Sequence, residues 1–362
     1  MKFISILILL LSLTNLNAGE VAYESPYIED SKALDDLHSV KSLLSSSNTH
    51  SLIKLQTSVK SQKSRGTCTM FTSIGLLEHL LIRERGYDKE LDLSEEWLEY
   101  LIMTSKTSEG SSTSRNLKAI FNYGVVYEAT LPYIGERWRA LVDSPLAVKR
   151  CGEFSGMRLE SCLLGHRDPY LLSMSDEEIL ETGDLNFIEI RNESRLLKDE
   201  IVEGILPLKK SYKIRKLSEV KRDLKEGRSV IVGMKLYYGS WNHSKTDKLS
   251  IQKRDKRKWY EGIVTYPEMG SVDRRISGKE GGGHSLILVG YDDERVITSK
   301  MLMEDGTWKE FSYKGVYYFK NSWGVRGSGR DFSLDGVSYP GYGMISQKYL
   351  HEFGSFYTIP KN

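Results

Sequence analysis

Only three cysteines occur in the 362 residues, too few for a disulfide scaffold, and an odd count leaves one thiol over in an oxidising compartment. Prolines number 8 and glycines 31, with no repeat to organise them, which excludes collagen-like and low-complexity chains. Neither charge sign dominates: 51 Lys and Arg against 49 Asp and Glu leave +2. No overall field therefore draws nucleic acid or a membrane surface. Past the first residues, no apolar run approaches the length of a bilayer span. What the chain does have is 40% hydrophobic residues, enough for packed cores and incompatible with wholesale disorder. Its length corresponds to about two domains at roughly 150 residues each.

Met1-Lys2 precedes a short apolar run, Phe3 to Leu13, and Leu16-Asn17-Ala18 supplies a small residue before Gly19-Glu20. That is the plan of a cleavable signal peptide over 1–18, and the run is too short for a stable span. The expectation is an exported protein, secreted or periplasmic, with no membrane association after cleavage and with disulfides permitted. Residues 19–50 are polar and Ser-rich at Ser45-Ser46-Ser47 and read as an N-terminal extension.

From Thr67 the pattern becomes helical, with Met70, Phe71, Ile74, Leu77, Leu80 and Leu81 on one stripe and Gly86 placed as a stop. Glu95 to Met103 and Leu117 to Tyr123 predict further helices, so 51–136 reads as a helical lobe. Residues 137–212, with two cysteines and weak periodicity, read as an insertion. Val230-Ile231-Val232, Ser285 to Val289 and Val316 to Phe319 are strand-like, and 213–362 reads as a strand-rich lobe. The fold class expected is α+β with two lobes.

Three stretches carry chemistry. Cys68 stands immediately before the helical stripe, where the free N–H groups and dipole of a helix N-terminus favour a thiolate. Gly281-Gly282-Gly283 leaves the edge of His284 open at the mouth of a buried strand. Asn321, in Lys320-Asn321-Ser322-Trp323-Gly324 after an aromatic strand, can orient an imidazole, and Trp323 can shield that bond from water. Singly, each also reads as packing, a structural histidine or a turn. Together, Cys, His and Asn are nucleophile, base and orienter for thiol acyl transfer. Gln62 adds a side-chain amide to receive an oxyanion.

At these residues the chain resembles the papain-like cysteine peptidases. The likeness rests on Gln62, Gly66, Cys68 and Phe71, on Gly283-His284 through Gly290-Tyr291, and on Lys320 to Gly324. Tyr123 to Val126, Leu131-Pro132-Tyr133 and Gly341-Tyr342-Gly343 add to it. The resemblance covers roughly 52–136 and 213–350 and leaves 137–212 unmatched. It implies a helical lobe facing a strand-rich, barrel-like lobe. It also implies peptide-bond hydrolysis by Cys68, His284, Asn321 and Gln62, peptide or protein substrates held near Gly110, Ser111, Gly283 and Trp323, and no cofactor or metal. His284 and Asn321 lie 216 and 253 residues beyond Cys68, against about 130–150 in the family. The unmatched stretch and a longer hairpin over Asp292 to Lys314 account for the excess.

The departures are local. Arg65 and Thr69 stand where the family has a second cysteine and a tryptophan, so its usual disulfide in the helical lobe is missing. Gly110-Ser111 replaces a Gly-Gly pair along the cleft. Cys151 and Cys162 are expected to pair, leaving Cys68 free. The competing reading makes Cys151, Cys162, His166 and Asp168 a metal set, without the tight paired spacing of zinc sites. The run Lys253 to Lys258 reads as a solvated loop, and Asn192 and Asn242 fit the glycosylation pattern. Two other functions share the parts: acyl or amide transfer through the same thioester, and a non-catalytic binding protein on the same fold. Nothing in the sequence sets an oligomeric state.

Overall fold

The computed structural model describes residues 22–23, 46–209 and 211–361. The expected signal peptide and most of the 19–50 extension lie outside the described residues.

The first lobe is built on α1 (Thr49–Lys54), α2 (Cys68–Arg85), α3 (Glu95–Met103) and α4 (Thr113–Tyr123). The predicted apolar stripe of α2 is buried, and the helix ends on Gly86, whose φ of 72° is the left-handed conformation glycine adopts without a Cβ clash. Ser94 caps α3 by accepting from Trp97 N (3.1 Å). Ser112 caps α4 five residues ahead of the apolar start at Leu117, because a cap is set by the side-chain oxygen and not by the hydrophobic face.

Residues 137–212 are mostly helical, with α5 (Pro145–Cys151), α6 (Gly156–Gly165), α7 (Asp176–Thr182) and α8 (Asn186–Leu197). Cys151 and Cys162 are disulfide-bonded and tie α5 to α6 beside Trp138 and Ala147. Both sulfurs of the alternative metal set are thereby taken. The later half joins the core of α2–α4: Phe187 of α8 packs on Trp97 and Tyr100 of α3, with ring centroids 6.0 and 5.3 Å apart.

The second lobe adds β1 (Ala22–Tyr23), β2 (Lys213–Ile214), α9 (Leu217–Lys225), β3 (Val230–Lys235), α10 (Lys245–Lys248), α11 (Lys256–Tyr260), β4 (Ile263–Val264), α12 (Val272–Glu280), β5 (Gly283–Leu302) and β6 (Trp308–Lys320). The short hairpin β7 (Ser333–Leu334) and β8 (Val337–Ser338) follows, then β9 (Tyr342–Ser346), α13 (Gln347–Phe353) and β10 (Ser355–Tyr357). The main sheet runs β2-β10-β3-β5-β6-β9-β4, with β1 beside β6. Among the described residues the two-residue end strands β2 and β4 do not pair with each other, so the strand-rich lobe does not close into a full barrel there. The polar stretch Asp292 to Lys314 is the outer half of the long β5–β6 hairpin, as its composition implied. Among the described residues no helix is long and apolar enough to cross a membrane.

The lobes meet where α2 lies against β5. A Cβ on Gly75 would stand 2.7 Å from Ile287 Cδ1, so glycine permits the approach. The Thr72 and Ser285 hydroxyls share a hydrogen bond of 2.8 Å across it. Further along, Ser229 N donates to His79 Nε2 (3.1 Å). Burial, aided by Arg83, Arg228 and Lys320 and opposed by the Leu55 carbonyl, pushes His79 down to about 4. The unfolded ring binds a proton near 6.5 while the folded one stays neutral to about 4. The contribution of His79 is therefore intact above pH 6.5 and lost as pH falls from there toward 4. Thermal unfolding of His79→Gln between pH 7 and 4 will show a shallower acid loss than wild type, by up to ~1.4 kcal/mol per pH unit. Identical slopes would mean that the buried ring titrates normally.

Candidate active site

The chain places Gln62, Cys68, Gly110, Ser111, Gly283, His284 and Trp323 along one cleft of about 630 Å³ between the lobes. Asn321 lies behind His284. All eight residues singled out in the sequence are thus brought together.

Two backbone arrangements assemble them. Residues 60–65 run against 321–324: Gln62 N donates to Ser322 O (2.9 Å), Gly324 N to Lys60 O (3.1 Å), and Ser61 bridges Trp323. That pairing puts Gln62 beside Asn321 and Trp323. The packing of α2 on β5 then sets Cys68, the first residue of α2, beside the start of β5 at Gly283-His284.

His284 donates from Nε2 to Asn321 Oδ1 (2.9 Å). Ser322 N donates to the same oxygen (2.8 Å), which fixes the amide with its oxygen toward the ring. The neutral imidazole therefore carries its proton on Nε2, and its lone pair is on Nδ1. Trp323 stacks on the ring at 4.4 Å and 20°.

The amide of Gln62 is held at both ends. Its Nε2 donates to Arg65 O (2.7 Å), and its Oε1 accepts from Ser322 Oγ (2.7 Å). One N–H of Nε2 remains for a ligand in the cleft. Ser322 is a positioning residue the sequence reading passed over, although it stood inside a motif already quoted.

Cys68 is 9% exposed. Thr67 caps no N–H of the first turn of α2; its hydroxyl instead shares a hydrogen bond of 2.8 Å with Tyr133. Burial pushes the Cys68 thiol up to about 11, against the N–H groups of Ser285, Thr69 and Cys68 itself, which favour the thiolate. Burial likewise pushes His284 down to about 4, helped slightly by His243 and opposed by the Asn321 bond. Desolvation thus opposes the charge on each group taken alone, against the helix terminus at Cys68 and the Asn321 bond at His284.

Arg65, three residues before Cys68, is 2% exposed. Its Nε donates to Glu109 Oε1 (2.7 Å), and NH2 donates to Glu99 and to Leu164 O (2.7 Å). NH1 reaches Glu136 O (3.2 Å) and His166 Nε2 (2.9 Å). His166 Nδ1 in turn meets Glu96 Oε1 at 2.6 Å. Burial works against the guanidinium charge, but Glu99, Glu109 and Glu96 outweigh it and raise Arg65 further. Asp168, the last of the alternative metal set, is paired with Arg158 at 2.6 Å.

Two surface readings are also corrected. Asn242 is 5% exposed and accepts from Asp255 N (3.0 Å), so it is no glycosylation acceptor. The Lys253 to Lys258 run is only partly solvated: Lys258 Nζ donates to Thr298 O (2.6 Å) and the Arg254 guanidinium to Asn242 O.

The chain is similar in fold to cysteine proteases. Xylellain, a cysteine protease from Xylella fastidiosa, aligns at 15% identity with a TM-score of 0.48, over 84% of this chain and 83% of that one. Digestive procathepsin L 3 of Tenebrio molitor aligns at 14% and 0.43, over 86% and 69%. Bromelain from Ananas comosus aligns at 14% and 0.43, over 87% and 99%. No family model and no curated protein matches the chain.

Proposed function

We propose that the protein is an exported cysteine peptidase that hydrolyses peptide bonds through a thioester on Cys68. The observation that carries this reading is the single cleft holding a thiol at a helix N-terminus, an imidazole whose Nε2–H is committed to Asn321, and a Gln62 amide locked with one N–H free.

Each charge alone is opposed by burial, so the two form together. The Cys68 proton passes to Nδ1 of His284, and the new charges stabilise each other in the low-dielectric cleft. The sulfur attacks the peptide carbonyl, and the oxyanion is received by Cys68 N–H and Gln62 Nε2–H. The imidazolium returns its proton to the leaving amine, the C–N bond breaks, and a thioester remains. Water, deprotonated by the now neutral His284, attacks the thioester, which releases the acid and restores the thiol. Gly110, Ser111 and Gly283 line the wall along which an extended peptide would lie.

An electrophile that traps activated thiols will label wild type at Cys68, and a folded His284→Ala variant will react at least about a hundredfold more slowly. Equal rates would remove His284 as the base. Product analysis with an added amine separates hydrolysis from transfer.

A further inference from the structure

We infer that Trp259 is a positioning residue for the reacting pair, holding Trp323 flat over His284 from outside the cleft; this rests on the peptidase reading above.

Trp323 lies on a loop that continues through Gly324, Gly327 and Gly329, with Gly324 N donating to Lys60 O (3.1 Å) and Gly329 N to Trp259 O (3.0 Å). The backbone is fixed by these bonds, and the tilt of the indole itself is set by the rings packed on its two faces. His284 stacks on Trp323 at 4.4 Å and 20°, and Trp259 stacks on the same indole at 5.5 Å and 24°. The Arg254 guanidinium lies 4.8 Å from the Trp259 ring, close enough for cation–π attraction. Trp241 fills the side of the group, 5.4 Å from Trp323 and 5.6 Å from His284.

The brace is itself anchored. Asp255 caps α11 by accepting from Arg257 N and Lys258 N (3.0 and 3.1 Å). Trp259 O accepts from Gly329 N (3.0 Å), and Tyr260 O accepts from Asp331 N (2.8 Å). Backbone hydrogen bonds therefore tie the α11 segment to the loop after Trp323. His243, 5.6 Å from Trp259 and 5.9 Å from Trp323, is pushed down to about 4 by burial and by Lys245, Arg254 and Lys248. It stays neutral near pH 7 and sets no second positive ring against an imidazolium on His284.

Trp259 does not line the cleft, whereas Trp323 does. Its removal acts on the ring behind the reaction and not on peptide binding. With Trp323 free to tilt, water competes for the His284–Asn321 hydrogen bond, and Nδ1 no longer points steadily at the sulfur.

The test measures alkylation of Cys68 by iodoacetamide, together with kcat and KM on a peptide substrate, for wild type, Trp259→Ala and Trp259→Phe, with Tm for each. In Trp259→Ala both alkylation and kcat will fall about tenfold, while KM stays within about twofold. Trp259→Phe will recover most of the loss. A Trp259→Ala protein alkylated at the wild-type rate overturns the inference and leaves the peptidase reading standing. Equal loss in both variants, tracking Tm, also overturns it by making Trp259 merely structural. Wild-type Cys68 no more reactive than a free thiol would instead bring down the peptidase reading, and this inference with it.

Discussion

Arg65→Ala will lose about 3–5 kcal/mol of stability, the usual result of removing one partner from a buried ionic cluster. The magnitude follows from what is left behind. Glu99 is fully buried and Glu109 nearly so, and both face Arg65. Burial, with Glu96 and Glu109 adding, already pushes Glu99 well above the usual carboxylate range, and Arg65 is what opposes that rise. The carbonyls of Leu164 and Glu136 and the ring of His166 would lose their donor too. Arg65→Lys keeps the charge but not the fork, and will recover only part of the loss. Denaturant titration decides the matter: an alanine variant within about 1 kcal/mol of wild type would show that the cluster does not hold this lobe together. Arg65 joins the turn before Cys68 to α3 and to the end of α6, an ionic junction that also recruits the 137–212 stretch.

Gln62→Ala will reduce turnover by about 10²–10³, equivalent to ~2.7–4 kcal/mol of transition-state stabilisation, with KM little changed. The amide is not free to find the oxyanion by chance. Arg65 O and Ser322 Oγ fix its plane, so the donor is in place before charge develops. Folding should survive, since the backbone hydrogen bond of Gln62 to Ser322 is untouched. Ser322→Ala, which leaves the amide but loosens its acceptor side, will show a smaller loss in the same direction. A folded Gln62→Ala protein with wild-type turnover would remove the oxyanion role and leave Gln62 as a packing residue.

The amino-acid sequence by itself determined the parts list and the strongly patterned elements, but not the four helices within 137–212, where its periodicity is weak. The stripe from Met70 to Leu81, the stop at Gly86 and the apolar run after His284 are local patterns, and local patterns fix helices and strands. The same holds for Cys68, His284, Asn321, Gln62 and Trp323, whose neighbours mark them before any contact is known. Only the tertiary structure decided what those residues experience. The protonation of Cys68 and His284 depends on how deeply two lobes bury them, and no short stretch of chain encodes burial from both sides. Arg65, Glu99 and His166 become one cluster although 34 and 101 residues separate Arg65 from its partners. Trp259 leaves an apparently solvated basic run to stack behind Trp323 for the same reason. Long-range packing, in which each residue's neighbours come from elsewhere in the chain, decided the burial and the contacts of a candidate site whose members the sequence had already named.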